Sequence, residues 1–349
     1  MARPTTQAGG LPGSAERGAQ NVVERCLRVQ PGEDVRLFTW RADEVAALVT
    51  AAIKRAGGAI TRVPLEPMER ETNKAYLRRS FDETLAGATA SILIASHGMP
   101  ALLSIAATEA AESAGSRHLH AVSVDARVMG QSMRADPMKL AVINERLVEM
   151  LRASRVRVTS DAGTNLEVSL SSKLPIAKSD GRPAQGRWDN IPSGFVCAHP
   201  GDVSGTLVVD RSVAGPTVVA DPAALRKNPL KVTFAAGRVE DVECGDAKIL
   251  AGVNAYLGSH TDAGRVGMIV MPTNYLVRSE IGLQIQDGLL PGLSIYLGYT
   301  NAAITKAAYD APVQLRFFGR RQTVEVRGQR LVQAGRFDAT LVEGIDPFR

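Results

Sequence analysis

The residues able to do chemistry are thinly spread along this chain. There are only five histidines. Two of them, His118 and His120, alternate in HLHAVSV, so a strand would carry both imidazoles on one face. A zinc site needs further ligands, and without them the pair reads as hydrogen-bonded structural histidines. His97 follows an apolar strand in ASHGMPA, where open α/β sheets often bind ligands; beside the flexible Gly98 it reads as a turn histidine. The three cysteines Cys26, Cys197 and Cys244 form no CxxC pair, which indicates neither a disulfide framework nor a structural zinc and fits a reducing cytoplasm. No GxGxxG follows the first strand and no GxxxxGK[ST] is present, so the phosphate-cradling fingerprints are missing. In WDNIPSGFVCAHP, Asp189 and Asn190 precede a Pro-Ser-Gly turn. They either orient a substrate or a water, or make an Asx-type turn before Pro192. Lys306 and Asp310 stand at helical spacing in NAAITKAAYDAP, as an ion pair on a solvated face would.

These side chains have to be held by elements that the hydrophobic pattern outlines. The chain has 349 residues, 45% hydrophobic and 22% charged, enough for two cores. The net charge of +5 is spread without a basic run, which gives no arm for nucleic acid and no membrane-surface helix. No apolar run of about 18 residues occurs to span a bilayer. Residues 1–20, rich in Gly, Ala and Pro, read as a disordered tail without a secretory core. From Asn21, helix-period and strand-period segments alternate. NVVERCLRVQ puts Val22, Val23, Cys26 and Leu27 on one helical face, DVRLFTW is a strand, and ADEVAALVTAAIKRAGG is a helix stopped by glycines. AITRVPL, SILIAS and HLHAVSV alternate with further helices, so residues 21–153 read as an open parallel α/β domain. Residues 154–349 switch to short strands with Gly turns and one convincing helix, GDAKILAGVNAYLG. That half reads as a mostly antiparallel, β-rich α+β domain carrying the cleft, closed by a hairpin turning at Gly328 and Gln329.

In order and spacing, VVERCLRVQPGEDVRL, RVRVTSDAGTNLEVSL, WDNIPSGFV and GTLVVDRSV resemble the thermophilic metallo-aminopeptidases of the aminopeptidase T family. They also resemble the related iron-dependent 2,5-dihydroxypyridine 5,6-dioxygenases, whose length the chain matches better. The resemblance runs from about Asn21 to Phe337. It implies metal ligands at positions that this chain fills with other residues. Phe195 replaces a glutamate after the Pro-Ser-Gly turn. Gly267 and Met268 stand for a Gly-Glu pair, Ser294 for a histidine heading a strand, and Gln314 and Arg316 for a His-x-Asp pair. The dioxygenase-type early histidine meets Arg265 or Met268, with His260 upstream.

A divalent cation needs three or more converging donors, and an arginine stays protonated and repels it. The reading therefore expects no metal at that position and no cofactor. The cleft would keep Phe195, Met268, Ser294, Tyr296, Gln314 and Arg316, an apolar floor with one fixed cation suited to a small, flat, anionic substrate. Asn190 and Arg265 would border it. Arg316 is the expected anchor, Ser294 a nucleophile that no GxSxG or SxxK motif supports, and Tyr296 a proton donor or oxyanion hydrogen bond. His199 is either a general base or a surface histidine, and Cys197 a buried small hydrophobe. The function expected is a metal-independent hydrolase opening a small amide or a heterocyclic acid. The alternatives are a non-catalytic ligand-binding relative and a metal-dependent aminopeptidase or ring-cleaving dioxygenase. The resemblance also implies a homo-oligomer.

Overall fold

The computed structural model describes residues 13–218 and 220–345. They fall into two compact units, 13–138 with 180–193, and 139–179 with 194–345. A single boundary at 153/154 was the sequence expectation. The structure instead divides inside the helix Pro137–Leu151 and returns the short segment 180–193 to the first unit. The reason is pairing: Trp188–Asn190 adds a parallel strand beside Arg117–Val122, and Ile191 N donates to His120 O at 2.9 Å.

The first unit is a parallel sheet in the order Ala59–Pro64, Asp34–Trp40, Ala90–Ala95, Arg117–Val122, Trp188–Asn190. Its central strand Ala90–Ala95 is buried throughout, as expected where helices cover both faces. The helix Asp43–Arg55 buries Val45, Val49 and Ile53 at helical spacing. Lys74–Leu85 starts at Asn73, whose side chain accepts from the amides of Ala75 and Tyr76 at 3.0 and 3.1 Å, satisfying donors the helix leaves free.

Two expectations change at the start of the chain. Residues 1–12 of the expected tail lie outside the described residues, but Ser14–Asn21 is an α-helix. It is held by contact rather than by propensity: a methyl group on Gly18 would stand 1.9 Å from Met129 O. The segment that follows, Val22–Leu27, is a π-helix, with Arg28 N donating to Val23 O five residues back. Val22, Val23, Cys26 and Leu27 are the buried residues, as the α-period implied, yet the backbone bonds belong to a wider coil.

The second unit holds two antiparallel sheets. The eight-stranded one runs Arg238–Glu243, Leu230–Ala235, Asp202–Val209, Asn165–Ser169, Arg155–Thr159, Thr323–Val326, Gln329–Gln333, Arg336–Phe337. The expected terminal hairpin is there, but its turn is Arg327 and Gly328, at φ 53° and 77°, rather than Gly328 and Gln329, because Gln329 already pairs with Val326; this is the double positive φ of a two-residue hairpin loop. The six-stranded sheet runs Ser212–Ala214, Gln314–Phe318, Ser294–Gly298, Val266–Pro272, Phe195–Ala198, Ile176–Ser179. On one of its faces Val196, Ile269, Ile295, Leu297, Leu315 and Phe317 are buried core residues. The helix Ala247–Leu257 packs there, with the buried Tyr256 hydroxyl donating to Leu297 O at 3.1 Å. Among the described residues, no helix is long and apolar enough to cross a membrane.

Candidate functional site

Because side chains alternate along a strand, the residues missing from that core share the opposite face of the six-stranded sheet. Register fixes their rows. Met268 pairs with Tyr296, Tyr296 with Arg316, and Arg316 with Ala214. The neighbouring row carries Cys197, Val270 and Ser294, with Phe318 paired to Ser212. Gln314 lies opposite Gly298 on the far side of Arg316, and Phe195 opposite Pro272 at the other end. Phe195, Met268, Ser294, Tyr296, Gln314 and Arg316 thus stand on one face of one sheet.

That face is half-buried rather than open. Cys197, Met268 and Val270 form an apolar cluster against which Phe195 and Tyr296 pack. Phe195 also meets Val277, Leu289 and Leu290 of the 273–293 loop. The Tyr296 ring meets Phe318 edge-on at 6.0 Å, and the Arg316 guanidinium lies 5.9 Å from its centroid. Burial raises the Tyr296 phenol above its usual range, and the Arg316 cation offsets this only in part. The phenol is therefore a protonated donor at neutral pH, next to a permanent cation.

His199 follows the strand Phe195–Ala198 by one residue, and continuing its register puts it beside Met268. Its Nδ1 lies 2.7 Å from Gly267 O. A carbonyl only accepts, so Nδ1 carries the proton and Nε2 keeps its lone pair in the neutral ring. The ring packs edge-on against Tyr309 at 5.6 Å, and the Tyr309 hydroxyl donates to Val266 O at 3.2 Å. His199 is half-buried and held, not a free surface group. With strands about 4.8 Å apart, its backbone stands roughly 10 Å from that of Tyr296, with Met268 between them.

Other expected site residues are placed elsewhere or are engaged. Ser294 is 5% exposed and is separated from His199 by the Val266–Pro272 strand and one row, so no serine–histidine pair is assembled. Arg265 stacks on the Tyr309 ring at 3.7 Å and pairs with Asp262 at 3.2 Å, which makes it a support for Tyr309 rather than a wall of the face. Asp189 and Asn190 belong to the first unit's parallel sheet. Asp189 accepts from Gly181 N and from Asn190 N, each at 2.8 Å, so its carboxylate braces local backbone. Lys306 lies beyond the short helix Ala302–Thr305 and donates to Ala303 O at 2.8 Å, while Asp310 accepts from Thr300 N at 2.8 Å. The helical spacing expected for them does not form. His118 and His120 are buried, bonded to Ser91 and Ser104 hydroxyls at 2.8 and 2.5 Å.

Two residues of the face were not singled out from sequence. Phe318 was legible, because it alternates with Arg316 in QLRFF. Tyr309 was not, since it lies in a loop with no period to place it.

The side chains on this face offer a thioether, the Cys197 thiol, hydroxyls, an amide and the His199 imidazole, around a guanidinium that repels cations. Among the described residues, no three of His, Cys, Asp and Glu gather where they could hold a metal ion.

Comparison with known proteins agrees with the fold. The structure of 2,5-dihydroxypyridine dioxygenase from Pseudomonas putida KT2440 superposes with a TM-score of 0.68 at 15% identity, covering 94% of this chain and 98% of that one. Wild-type AmpT from Thermus thermophilus gives 0.64 at 15% identity, covering 93% and 98%. No curated protein matches the sequence. The profile of the NicX family, 2,5-dihydroxypyridine 5,6-dioxygenase, matches residues 17–268. That span includes Phe195, His199 and Met268 and stops before Ser294, Tyr296, Gln314 and Arg316. By this match over most of its length, the chain belongs to the 2,5-dihydroxypyridine 5,6-dioxygenase family.

Proposed function

We propose that the outer face of the six-stranded sheet binds a small planar acid and hydrolyses an amide or ring C–N bond in it without a metal. The observation that carries this reading is the row Met268, Tyr296, Arg316, an apolar floor, a protonated phenol and a fixed cation side by side. A carboxylate on Arg316 would orient the ring over Met268. His199 Nε2, its tautomer set by Gly267 O, would take a proton from water as the hydroxide adds to the substrate carbonyl. The Tyr296 hydroxyl would donate to the resulting oxyanion. Collapse breaks the C–N bond, and the imidazolium returns its proton to the leaving nitrogen. The span of roughly 10 Å between His199 and Tyr296 suits a single six-membered ring with its substituents. Ser294, buried and without a neighbouring base, has no part in this scheme.

A metal-dependent dioxygenase or aminopeptidase is the second reading, favoured by the family match over residues 17–268. The side chains of the face weigh against it, since none supplies a hard anionic donor. Titration of the protein with pyridine carboxylates and carboxamides, followed by calorimetry, tests the first reading. Saturable binding that Arg316→Gln weakens at least tenfold supports it. Binding that Arg316→Gln leaves unchanged removes the anchor and with it the proposal.

A further inference from the structure

The sheet face continues past Arg316 under a cover. Phe318 follows Arg316 by two residues on the strand Gln314–Phe318 and pairs with Ser212, so both lie on that face, about 7 Å along it. The cover is the segment 280–290 of the 273–293 loop. Its short helix Gln284–Asp287 is followed by Gly288, where a methyl group would stand 3.1 Å from Phe318 Cε1, so this turn rests on the Phe318 ring. Gly288 N donates to Gln284 O at 2.8 Å. Residues four apart share one side of a helix, which turns Gln284 towards the same ring.

Where the two elements meet, polar atoms are left over. Ser212 Oγ and Gln284 Nε2 are buried and have no hydrogen-bond partner among the described residues. Each costs the folded chain free energy that an apolar side chain of the same shape would not. The segment, meanwhile, satisfies much of its own backbone. The amides of Ile281 and Gly282 donate to the Asp287 carboxylate at 2.8 and 2.9 Å, and those of Leu289 and Leu290 to Gln286 O and Asp287 O at 2.8 and 3.3 Å. Side chains seat it on the rest of the unit. Phe195 packs against Leu289 and Leu290, Arg211 donates to Asp287 O at 3.3 Å, and Arg320 pairs with Glu280 at 2.7 Å. A segment closed on itself and seated in this way can lift as a unit.

We propose that the segment 280–290 lifts when substrate binds, and that Ser212 and Gln284 then hold an uncharged hydrogen-bond acceptor on it. The two orphaned groups are a hydroxyl and a carboxamide, donors without charge. A second carboxylate buried against them would lack a counter-ion, so the acceptor is a carbonyl, an amide or a ring nitrogen. The step of about 7 Å from the Arg316 position to that of Phe318 is the reach of one six-membered ring between para substituents. The substrate class thereby narrows to planar acids with a neutral acceptor across the ring from the carboxylate. This rests on the reading of Arg316 as the anchor.

Calorimetric titration of the full chain with pyridine-3-carboxylate and with 6-carbamoylpyridine-3-carboxylate, which differ only in the added acceptor, tests this. Wild type should bind the carbamoyl compound at least tenfold more tightly. Ser212→Ala and Gln284→Met should each cut that ratio at least threefold, and Arg316→Gln should weaken both compounds. Both of the first two variants should also raise the urea midpoint, because each removes an unpaired buried polar atom; a fall would show that the group serves the fold and overturn its assignment. Equal affinity for the two compounds, or a ratio that either variant keeps, overturns the inference while Arg316→Gln still reports the anchor. Absence of binding, or binding that Arg316→Gln does not weaken, overturns the anchor and this inference together.

Discussion

The two histidines of the parallel sheet should make the protein acid-labile by a calculable amount. Burial lowers the His120 imidazole to about 4 from its ordinary 6.5. His118 is lowered further, by burial and then by His120. Both are therefore neutral in the folded chain while the unfolded chain protonates them below about 6.5. A base with a depressed folded pKa contributes nothing to the pH dependence above its unfolded value, and the folded state loses stability as pH falls through the window from 6.5 towards 4. Each pH unit below 6.5 at which a folded imidazole stays neutral costs ~1.4 kcal/mol, so at pH 5 His120 alone costs about 2 kcal/mol, and near pH 4 about 3 kcal/mol. The perturbation is His120→Gln, which can still bond the Ser104 hydroxyl and does not titrate. Urea unfolding followed by circular dichroism from pH 8 to 4.5 gives the slope of stability with pH. Between pH 6 and 5 the slope of the variant should be smaller by about 1.2 kcal/mol per pH unit. Identical slopes for variant and wild type would refute the claim that His120 is buried and neutral.

Further outcomes follow from individual contacts. Gly18→Ala drives a methyl to 1.9 Å from Met129 O and should destabilise the chain by about 1–3 kcal/mol, read as a fall in the urea midpoint; no change would mean that the Ser14–Asn21 helix is not packed there. Cys26 is buried and its thiol is pushed up to about 12, so iodoacetamide at pH 8 should label Cys244 well before Cys26, as peptide mapping by mass spectrometry would show. Tyr309→Leu removes the ring that supports both His199 and Arg265; it should lower kcat for any hydrolysed substrate by tenfold or more while leaving KM nearly unchanged, because the ring touches the base rather than the anchor.

Much of the scaffold could be read from the sequence because its periods are strong. DVRLFTW became the strand Asp34–Trp40, and the spacing of Val45, Val49 and Ile53 marked the buried side of Asp43–Arg55. The alternation of Ser294 with Tyr296, and of Gln314 with Arg316, is enough to put those residues on one face once the strands pair. What the sequence concealed depends on tertiary contact. The strand Trp188–Asn190 has three residues, too few for a period, and only the open edge beside Arg117–Val122 draws it into the first unit. The π-helix buries the same residues an α-helix would, so its hydrophobic pattern is identical. Asp189 was placed by its turn, Arg265 by the family resemblance and Lys306 by its helical spacing to Asp310, and each is engaged by local partners that none of these signals reveals. Tyr309 gained its place from a loop whose path is set by Asp310 binding Thr300.

The central claim is that the face around Met268, Tyr296 and Arg316 works without a metal. Its most direct test is hydrolysis of a pyridine carboxamide by protein dialysed against a strong chelator, with oxygen uptake recorded in parallel. Release of the acid and ammonia that survives the chelator, consumes no oxygen and is lost in both His199→Gln and Arg316→Gln is the result the account predicts. Activity that appears only when ferrous iron is restored, accompanied by oxygen uptake and ring cleavage, would contradict it.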